Sequence, residues 1–341
     1  MMASVKANAY GHGAVEASRA FLAGGADALG VATMEEAVGL REAGITADIL
    51  VYGKLWSESA LEALRHDVAL TVYEMQELDA LSGAAGSGRP ARVHVKLDTG
   101  MTRLGVRDEG EAVALILRAS RMPGVKLEGV YTHFAAADEA PMPGTGRTSV
   151  QADQLERVVA RARASGAQIP SVHAANSAAL LRDARYHYDM VRPGIALYGY
   201  EPAPQWGISH GLLPALSWQT QIVRIAEVPA GTPVSYAGTY VTSRTERIAT
   251  LPVGYADGVP RALSNLGAVR LRSGCAPIVG RVCMDQLMIA VTDLDARVGD
   301  QVEIYGAAGP CGSAQRAADQ LDTITYELLC AISGRVPRLY V

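Results

Sequence analysis

The feature that most constrains the fold is a regular alternation across the first two-thirds of the chain. Short β-branched runs alternate there with segments rich in Ala, Leu, Glu and Arg. Eight runs with seven intervening helical stretches predict an α/β fold, a (β/α)₈ barrel. A doubly wound sheet is the competing architecture, but it seldom needs eight evenly spaced parallel strands. The strand candidates are residues 1–8, 28–33, 49–52, 70–73, 92–97, 127–133, 171–174 and 190–197.

The pattern changes near Pro202. After Trp218 the strand-like runs are broken by Gly and Pro, and no long helical stretch appears before residues 314–320. We therefore expect a barrel domain over residues 1–204 and a β-rich C-terminal domain over residues 205–341. The runs in the second domain are residues 219–228, 247–251, 276–282, 287–292 and 301–305.

The composition narrows the class of protein. The chain has 341 residues, of which 49% are hydrophobic and 19% charged, with a net charge of −4. This mild acidity gives no support to nucleic-acid or anionic-membrane binding, and no apolar run reaches transmembrane length. No signal peptide is expected before Lys6. The four cysteines form no CxxC and suggest no metal site, so we expect reduced thiols in a cytoplasmic protein.

The segment VKANAYGHG, Val5 to Gly13, carries the first candidate for chemistry. Its Lys6 lies near the end of the first predicted strand, and the hydroxyl of Tyr10 follows four residues later. A lysine held at a strand end and partly desolvated fits a Schiff-base amine. The same spacing also fits a lysine in a salt bridge at the rim of the barrel, with Tyr10 as a half-buried packing residue.

Further candidates follow the other predicted strands, since function in such a barrel lies at the carboxyl ends of its strands. Strand five ends in VKLDTGMTRLG, with Lys96 and Arg103, and an arginine is suited to holding a carboxylate. The alternative for strand five is a surface network of Lys96 with Asp98. Strand six ends at His133, which equally fits a hydrogen-bonded core histidine.

The ends of strands seven and eight predict a phosphate site. Asn176 and Ser177 begin a predicted helix, and helix starts bind phosphate, although capping alone also explains them. Barrel phosphate sites usually follow strands seven and eight, where the backbone N–H groups of Gly194 and Ile195 are available. Arg192 lies on the eighth strand.

These segments resemble the alanine racemase family over nearly the whole chain. VKANAYGHG, VKLDTGMTRLG, YTHFAAAD, HAANSAALL and MVRPGIALYG are followed, in the same order, by VSYAGTY, GYADG, RVCMDQ and ITYELLC. The resemblance implies a homodimer with shared active sites that uses pyridoxal 5′-phosphate (PLP). It also implies interconversion of L- and D-alanine, which supplies D-alanine for peptidoglycan.

The resemblance also assigns roles to residues. Lys6 is implied to bind PLP and to act as one base, Tyr236 of the partner chain as the second base, and Lys96 as a carbamylated lysine. Arg192 is implied to donate to the pyridine nitrogen, which disfavours transamination. The remaining cofactor residues are implied to be Tyr10, His133, Asn176, Ser177, Gly194, Ile195 and Tyr326, and the substrate residues Arg103, Tyr255, Met284 and Asp285.

Three alternatives stay open. A racemase of wider scope, acting on serine or larger amino acids, shares these segments. A PLP-binding barrel without racemase activity is the second, although such proteins generally lack a second β domain. The third is an inactive fragment, because family members carry a segment before the residue matching Met1 and a short tail after Val341. Either that segment supplies the helix that covers the face between strands one and eight, or another element covers this face.

Overall fold

The computed structural model describes residues 1–54, 56, 59–86, 88–139, 146–307 and 309–341. It divides into two compact units. The first comprises residues 1–9, 13–197 and 201–210, and the second comprises residues 10–12, 198–200 and 211–341. The predicted boundary after residue 204 remains a prediction, because two short segments of the N-terminal part group with the second unit.

The first unit is built on one parallel sheet, in which each strand pairs with the next along the chain in the order β1 to β7. The predicted α/β barrel architecture is confirmed. The strands are β1 Met2–Ser4, β2 Ala28–Val31, β3 Asp48–Val51, β4 Ala69–Val72, β5 Ala91–Lys96, β6 Val125–Tyr131 and β7 Val172–His173.

Helices alternate with these strands, as the sequence predicts. Within the described ranges, no helix is both long and apolar enough to cross a membrane. The helices of this unit are α1 Ala14–Ala23, α2 Met34–Glu42, α3 Ser59–Arg65, α4 Met75–Ala85, α5 Glu109–Arg121, α6 Arg147–Ala164 and α7 Ser177–Arg182, with 3₁₀ turns at Ala184–Tyr186, Ile195–Tyr198 and Pro204–Trp206.

The eighth predicted strand, residues 190–197, is irregular but closes the barrel. Met190 forms an isolated parallel bridge with His173 of β7. On the opposite side, the amides of Met2 and Ser4 in β1 donate to the carbonyls of Val191 and Pro193, both at 2.9 Å. Proline has no N–H for a continuing ladder, and the chain turns into the 3₁₀ helix Ile195–Tyr198.

The first strand is shorter than predicted, because β1 ends at Ser4 and a left-handed turn follows Lys6. Ala7, Asn8, Ala9 and Tyr10 all have φ between 52° and 54°. Such a turn costs about 1–2 kcal/mol per non-glycine residue, so its polar groups must be well bound. The amide of Ala7 donates to Glu36 Oε1 at 2.6 Å. The turn thus fixes Lys6 immediately beyond the end of the strand.

The second unit is β-rich, with antiparallel pairing in its sheets. Among the described residues, β15-β12-β9 and β14-β13-β16-β8 form its two larger sheets, and β10 pairs with β11. The strands are β8 Trp218–Gln221, β9 Arg224–Val228, β10 Pro233–Val234, β11 Tyr240–Val241, β12 Glu246–Leu251, β13 Ala268–Leu271, β14 Gly274–Pro277, β15 Leu287–Ala290 and β16 Gln301–Tyr305; 3₁₀ turns span Tyr236–Gly238 and Arg261–Leu263, and helices α8 Ala314–Leu321 and α9 Thr325–Cys330 follow.

The expectation of four reduced cysteines is wrong for two of them. Cys275, on the edge strand β14, forms a disulfide with Cys311, with 5.8 Å between their Cα atoms. The amide of Gly312 donates to the carbonyl of Ala268 in β13, which brings Cys311 against the same sheet. Cys283 and Cys330 are thiols. Cysteine usage therefore no longer argues for a reducing compartment.

Candidate active site

Four cations gather at the carboxyl end of the barrel strands. Lys96, the last residue of β5, is 5% exposed. Burial, followed by the positive charges of Arg103, Arg192 and Lys6, lowers the pKa of Lys96 to about 8. The structure thus brings together four site residues that the sequence predicted. Such a cluster favours anionic ligands and a neutral amine at Lys96.

Asp98 shapes the loop that carries Arg103. Its Oδ1 accepts hydrogen bonds from the amides of Gly100 at 3.0 Å and Thr102 at 2.9 Å. Thr102 has a φ of 55°, so the loop needs this support. Asp98 is buried and binds backbone amides, which disfavours the alternative of a surface Lys96–Asp98 network.

Arg192 is buried, and the protein fixes its guanidinium from two sides. Nη1 donates to His173 Nδ1 at 2.7 Å. Nη2 donates to the carbonyls of Thr132 at 2.8 Å and Ala174 at 3.2 Å. Within the part of the chain that the structure describes, Nε makes no hydrogen bond. A guanidinium can only donate, so Nε suits an acceptor on a ligand.

The ring of Tyr131, at the end of β6, packs against two of these cations, Arg192 and Lys96. The centroid of the ring lies 4.9 Å from Arg192 Cζ and 5.4 Å from Lys96 Nζ, and His173 stacks on it at 4.8 Å and 8°. The Tyr131 hydroxyl lies 2.8 Å from Oγ1 of Thr71. Cation–π contacts of this kind hold charged groups at a desolvated position.

His133 also belongs to this cluster. Burial, followed by the charges of Arg192, Arg103, Lys96 and Lys6, holds the pKa of His133 well below its usual value. The imidazole is therefore neutral at physiological pH and can both donate and accept a hydrogen bond. This fits a supporting role beside the cations rather than a further positive charge.

Ser177 links the ends of the last two strands. Its Oγ accepts the amides of Gly194 at 2.9 Å and Ala196 at 3.3 Å. With both acceptor positions used, the hydroxyl hydrogen is directed away from these amides and suits an anionic oxygen. Asn176 caps α7 by accepting the amide of Ala179 at 3.0 Å, as the capping interpretation predicts.

The predicted donors from the eighth strand differ in their surroundings. The amide of Gly194 is engaged by Ser177 within the chain. Ile195 is buried and begins the 3₁₀ helix that follows. The direct contact of Gly194 and Ile195 with a phosphate stays a prediction.

The second unit brings three predicted residues to one groove. Tyr236, Met284 and Asp285 line a groove of about 460 Å³, which is completed by Ser235, Cys283, Gln286 and Met288. Tyr236 is 72% exposed. It lies in the turn between β10 and β11, where Ser235 has a φ of 66°, and the hydroxyl of Ser235 donates to the carbonyl of Arg281 at 2.8 Å. The turn presents the phenol to solvent.

The GYADG segment lies against this groove. The amide of Tyr255 donates to the carbonyl of Cys283 at 3.0 Å, and the amide of Ala256 donates to that of Met284 at 3.0 Å. Arg335, which belongs to none of the predicted site segments, pairs with Asp285 at 2.8 Å and with Asp257 at 3.4 Å. The carboxylate of Asp285 is therefore oriented from the C-terminal part of the chain.

Tyr10 and Tyr326 also meet in the second unit. Their ring centroids are 5.8 Å apart, and Tyr198 lies 4.9 Å from Tyr10. Both nitrogens Nε and Nη2 of Arg338 donate to the carbonyl of Gly11, at 3.1 and 2.9 Å. The two tyrosines predicted to bind the cofactor are thus neighbours.

Sequence reasoning missed His94, His173 and Tyr131. A signal was present for His94, because side chains two residues apart on a strand share a face, and His94 precedes Lys96 by two.

The fold and its cation cluster define a class of protein, a (β/α) barrel with an antiparallel β domain and a cluster of cationic side chains at the carboxyl ends of its strands. Residues 1–202 match the family described as alanine racemase, N-terminal domain, and residues 215–340 match alanine racemase, C-terminal domain. The chain belongs to the alanine racemase family, which confirms the resemblance drawn from its sequence segments.

Curated relatives and solved structures agree with this assignment. The chain is 44% identical to alanine racemase of Halothermothrix orenii and 46% identical to that of Symbiobacterium thermophilum, over all of this chain and 89% and 90% of theirs. The Bacillus anthracis alanine racemase structure with bound L-Ala-P is 38% identical with a TM-score of 0.92, covering all of this chain and 88% of that one.

Proposed function

We propose that this chain is a PLP-dependent alanine racemase that acts as a homodimer and supplies D-alanine for peptidoglycan. One observation on this member of the family carries the proposal. Its barrel holds a cation cluster formed by Lys6, Lys96, Arg103 and Arg192, and the ring of Tyr131 lies beneath it. The electrostatics suit a substrate that carries a carboxylate and a cofactor that carries a phosphate.

The amine, hydroxyl and guanidinium groups of this site fit PLP. Lys6 would hold the cofactor covalently, the hydroxyl of Ser177 would meet its phosphate, and Nε of Arg192 would donate to its ring nitrogen. Bound PLP supplies a sink for the electrons left on the α-carbon of alanine when its proton is removed. Because Arg192 can only donate, the ring nitrogen would stay unprotonated, which weakens that sink and suits brief proton removal and return.

Racemisation needs a base on each face of the α-carbon, and two fixed bases need no rearrangement between the two transfers. Lys6 serves the face that bears the α-proton of D-alanine in this proposal. Tyr236 of a second copy serves the other, which its exposed phenol supports. Arg103 would hold the substrate carboxylate, with Met284 and Asp285 beside it and Tyr255 at the entrance.

The direct test is chiral chromatography of alanine after incubation of the purified protein with PLP. We expect conversion of L-alanine to D-alanine and the reverse, and much slower turnover of serine and larger amino acids. Cofactor binding without any turnover would identify a non-racemising PLP protein. Equal rates for serine and alanine would identify a racemase of wider scope.

We further predict that Lys96 is carbamylated. Carbon dioxide reacts with a neutral amine, and with a pKa of about 8 roughly half of Lys96 is neutral at pH 8, against under about 1% for an ordinary lysine. At a fixed concentration of dissolved carbon dioxide, occupancy should rise with pH through this range. The product is an anion that can orient Arg103 through a charge-assisted hydrogen bond.

The measurement is ¹³C NMR of the protein under ¹³C-labelled carbon dioxide. The carbamate signal should vanish in Lys96→Met and persist in Lys54→Met, because the hydrogen bond from Lys54 to Glu74 raises the pKa of Lys54. A wild-type protein without the signal, or a signal that survives in Lys96→Met, would refute carbamylation at this position.

A further inference from the structure

We infer that His94 is a positioning residue for Arg192 and acts on it through His173. The inference rests on the proposed function, in which Arg192 serves the cofactor ring. The three side chains form one buried chain of hydrogen bonds: His94 Nδ1 lies 2.9 Å from His173 Nε2, and His173 Nδ1 lies 2.7 Å from Arg192 Nη1. His94 itself lies on β5, two residues before Lys96.

The chemistry of the three groups determines which atom donates in each of these hydrogen bonds. A guanidinium can only donate, so Nδ1 of His173 must accept from Arg192. A neutral His173 then carries its proton on Nε2 and donates it to Nδ1 of His94, which places the proton of His94 on Nε2. Burial, followed by nearby arginines, lowers the pKa of His94 to about 3, and burial and Arg192 hold that of His173 well below its usual value.

The strands make room for the imidazole of His94. In the β5–β6 pair, Val93 faces Leu127 but His94 faces Gly129, so Glu128 is the extra residue of a bulge. A Cβ atom on Gly129 would lie 2.4 Å from His94 Nδ1. A side chain at position 129 would thus displace the nitrogen that accepts from His173.

Loss of the His94 imidazole would change the position of Arg192. Its Nη2 is held by two backbone carbonyls, and among the residues that the structure describes its side-chain acceptor is His173. Without His94, the Nε2–H of His173 becomes a buried donor that has lost its partner, an arrangement that folded proteins avoid. The ring of His173 would then reorient, and Arg192 would lose the acceptor that fixes the direction of its Nε.

Two variants of nearly equal shape separate positioning from packing. His94→Asn keeps an acceptor oxygen close to the position of Nδ1, whereas His94→Leu removes it. The first readout is ¹⁵N NMR of histidine-labelled, PLP-free protein, with His173 assigned from a His173→Gln spectrum. We expect His173 to be protonated on Nε2, with slow exchange, in wild type and His94→Asn, and to lose this signature in His94→Leu.

The second readout is kcat/KM of the PLP-loaded protein. Partners behind a site residue typically contribute about 10–100-fold, so His94→Leu should fall by that factor and His94→Asn by less than about threefold. Protonation of His173 on Nδ1 in wild type, or equal losses in both variants, would overturn the inference. An inactive wild type with the expected imidazole signals would refute the proposed function while supporting the role of His94.

Discussion

Replacing Lys6 by alanine is expected to lower kcat/KM for racemisation by at least about 10⁴-fold, the upper end of what a general base contributes. The loss is large because Lys6 has two roles in the proposal, covalent attachment of the cofactor and proton transfer on one face of the substrate. The assay is the conversion of L-alanine to D-alanine at saturating PLP.

Lys54→Ala is the matched control. Lys54 pairs with Glu74 at 2.9 Å outside the cation cluster, and an exposed pair of this kind contributes little, so activity should remain within about twofold of wild type. Full activity of Lys6→Ala, or loss of activity in Lys54→Ala, would show that a lysine other than Lys6 holds the cofactor.

Tyr236→Phe is expected to separate proton exchange from racemisation. Phenylalanine keeps the ring and removes the hydroxyl, and loss of a general base lowers the rate by about 10²–10⁴-fold. Racemisation must fall equally in both directions, as kcat/KM, because the enantiomers have equal free energy. In heavy water Lys6 can still exchange the α-proton of D-alanine on its own face, so deuterium should enter D-alanine and leave L-alanine nearly untouched.

Tyr240→Phe serves as the control for this experiment. Its hydroxyl donates to Glu246 Oε2 at 2.7 Å, within the second unit, and the proposal gives it no part in proton transfer. Exchange into both enantiomers should match wild type. Similar exchange rates for both enantiomers in Tyr236→Phe would remove Tyr236 from the reaction and leave a single-base mechanism.

Much of the barrel is readable from the sequence, because parallel strands and helices differ strongly in the period of their apolar residues. β5 shows this well: alternation places His94 and Lys96 on one face, and both are buried. The segment order that identifies the family also places the candidate residues at the ends of successive strands. The cation cluster follows from that placement, since parallel strands end at one edge.

The features that the sequence did not predict depend on contacts between distant residues. The left-handed turn after Lys6 contains no glycine until Gly11, and the carboxylate of Glu36 holds it by accepting the amide of Ala7. His94 acquires its role from a histidine 79 residues away. The Cys275–Cys311 disulfide spans 36 residues and has no local motif. Local propensity carries no information about such pairs.

The central claim is that Lys6 holds PLP in a racemase site, and borohydride reduction tests it most directly. The PLP-loaded protein is reduced, digested, and its labelled peptide sequenced by mass spectrometry, with Lys96 and Lys54 as the competing positions. We predict loss of the cofactor's visible absorbance and a single label on Lys6. A label on Lys96 or Lys54 with Lys6 unmodified would contradict the account.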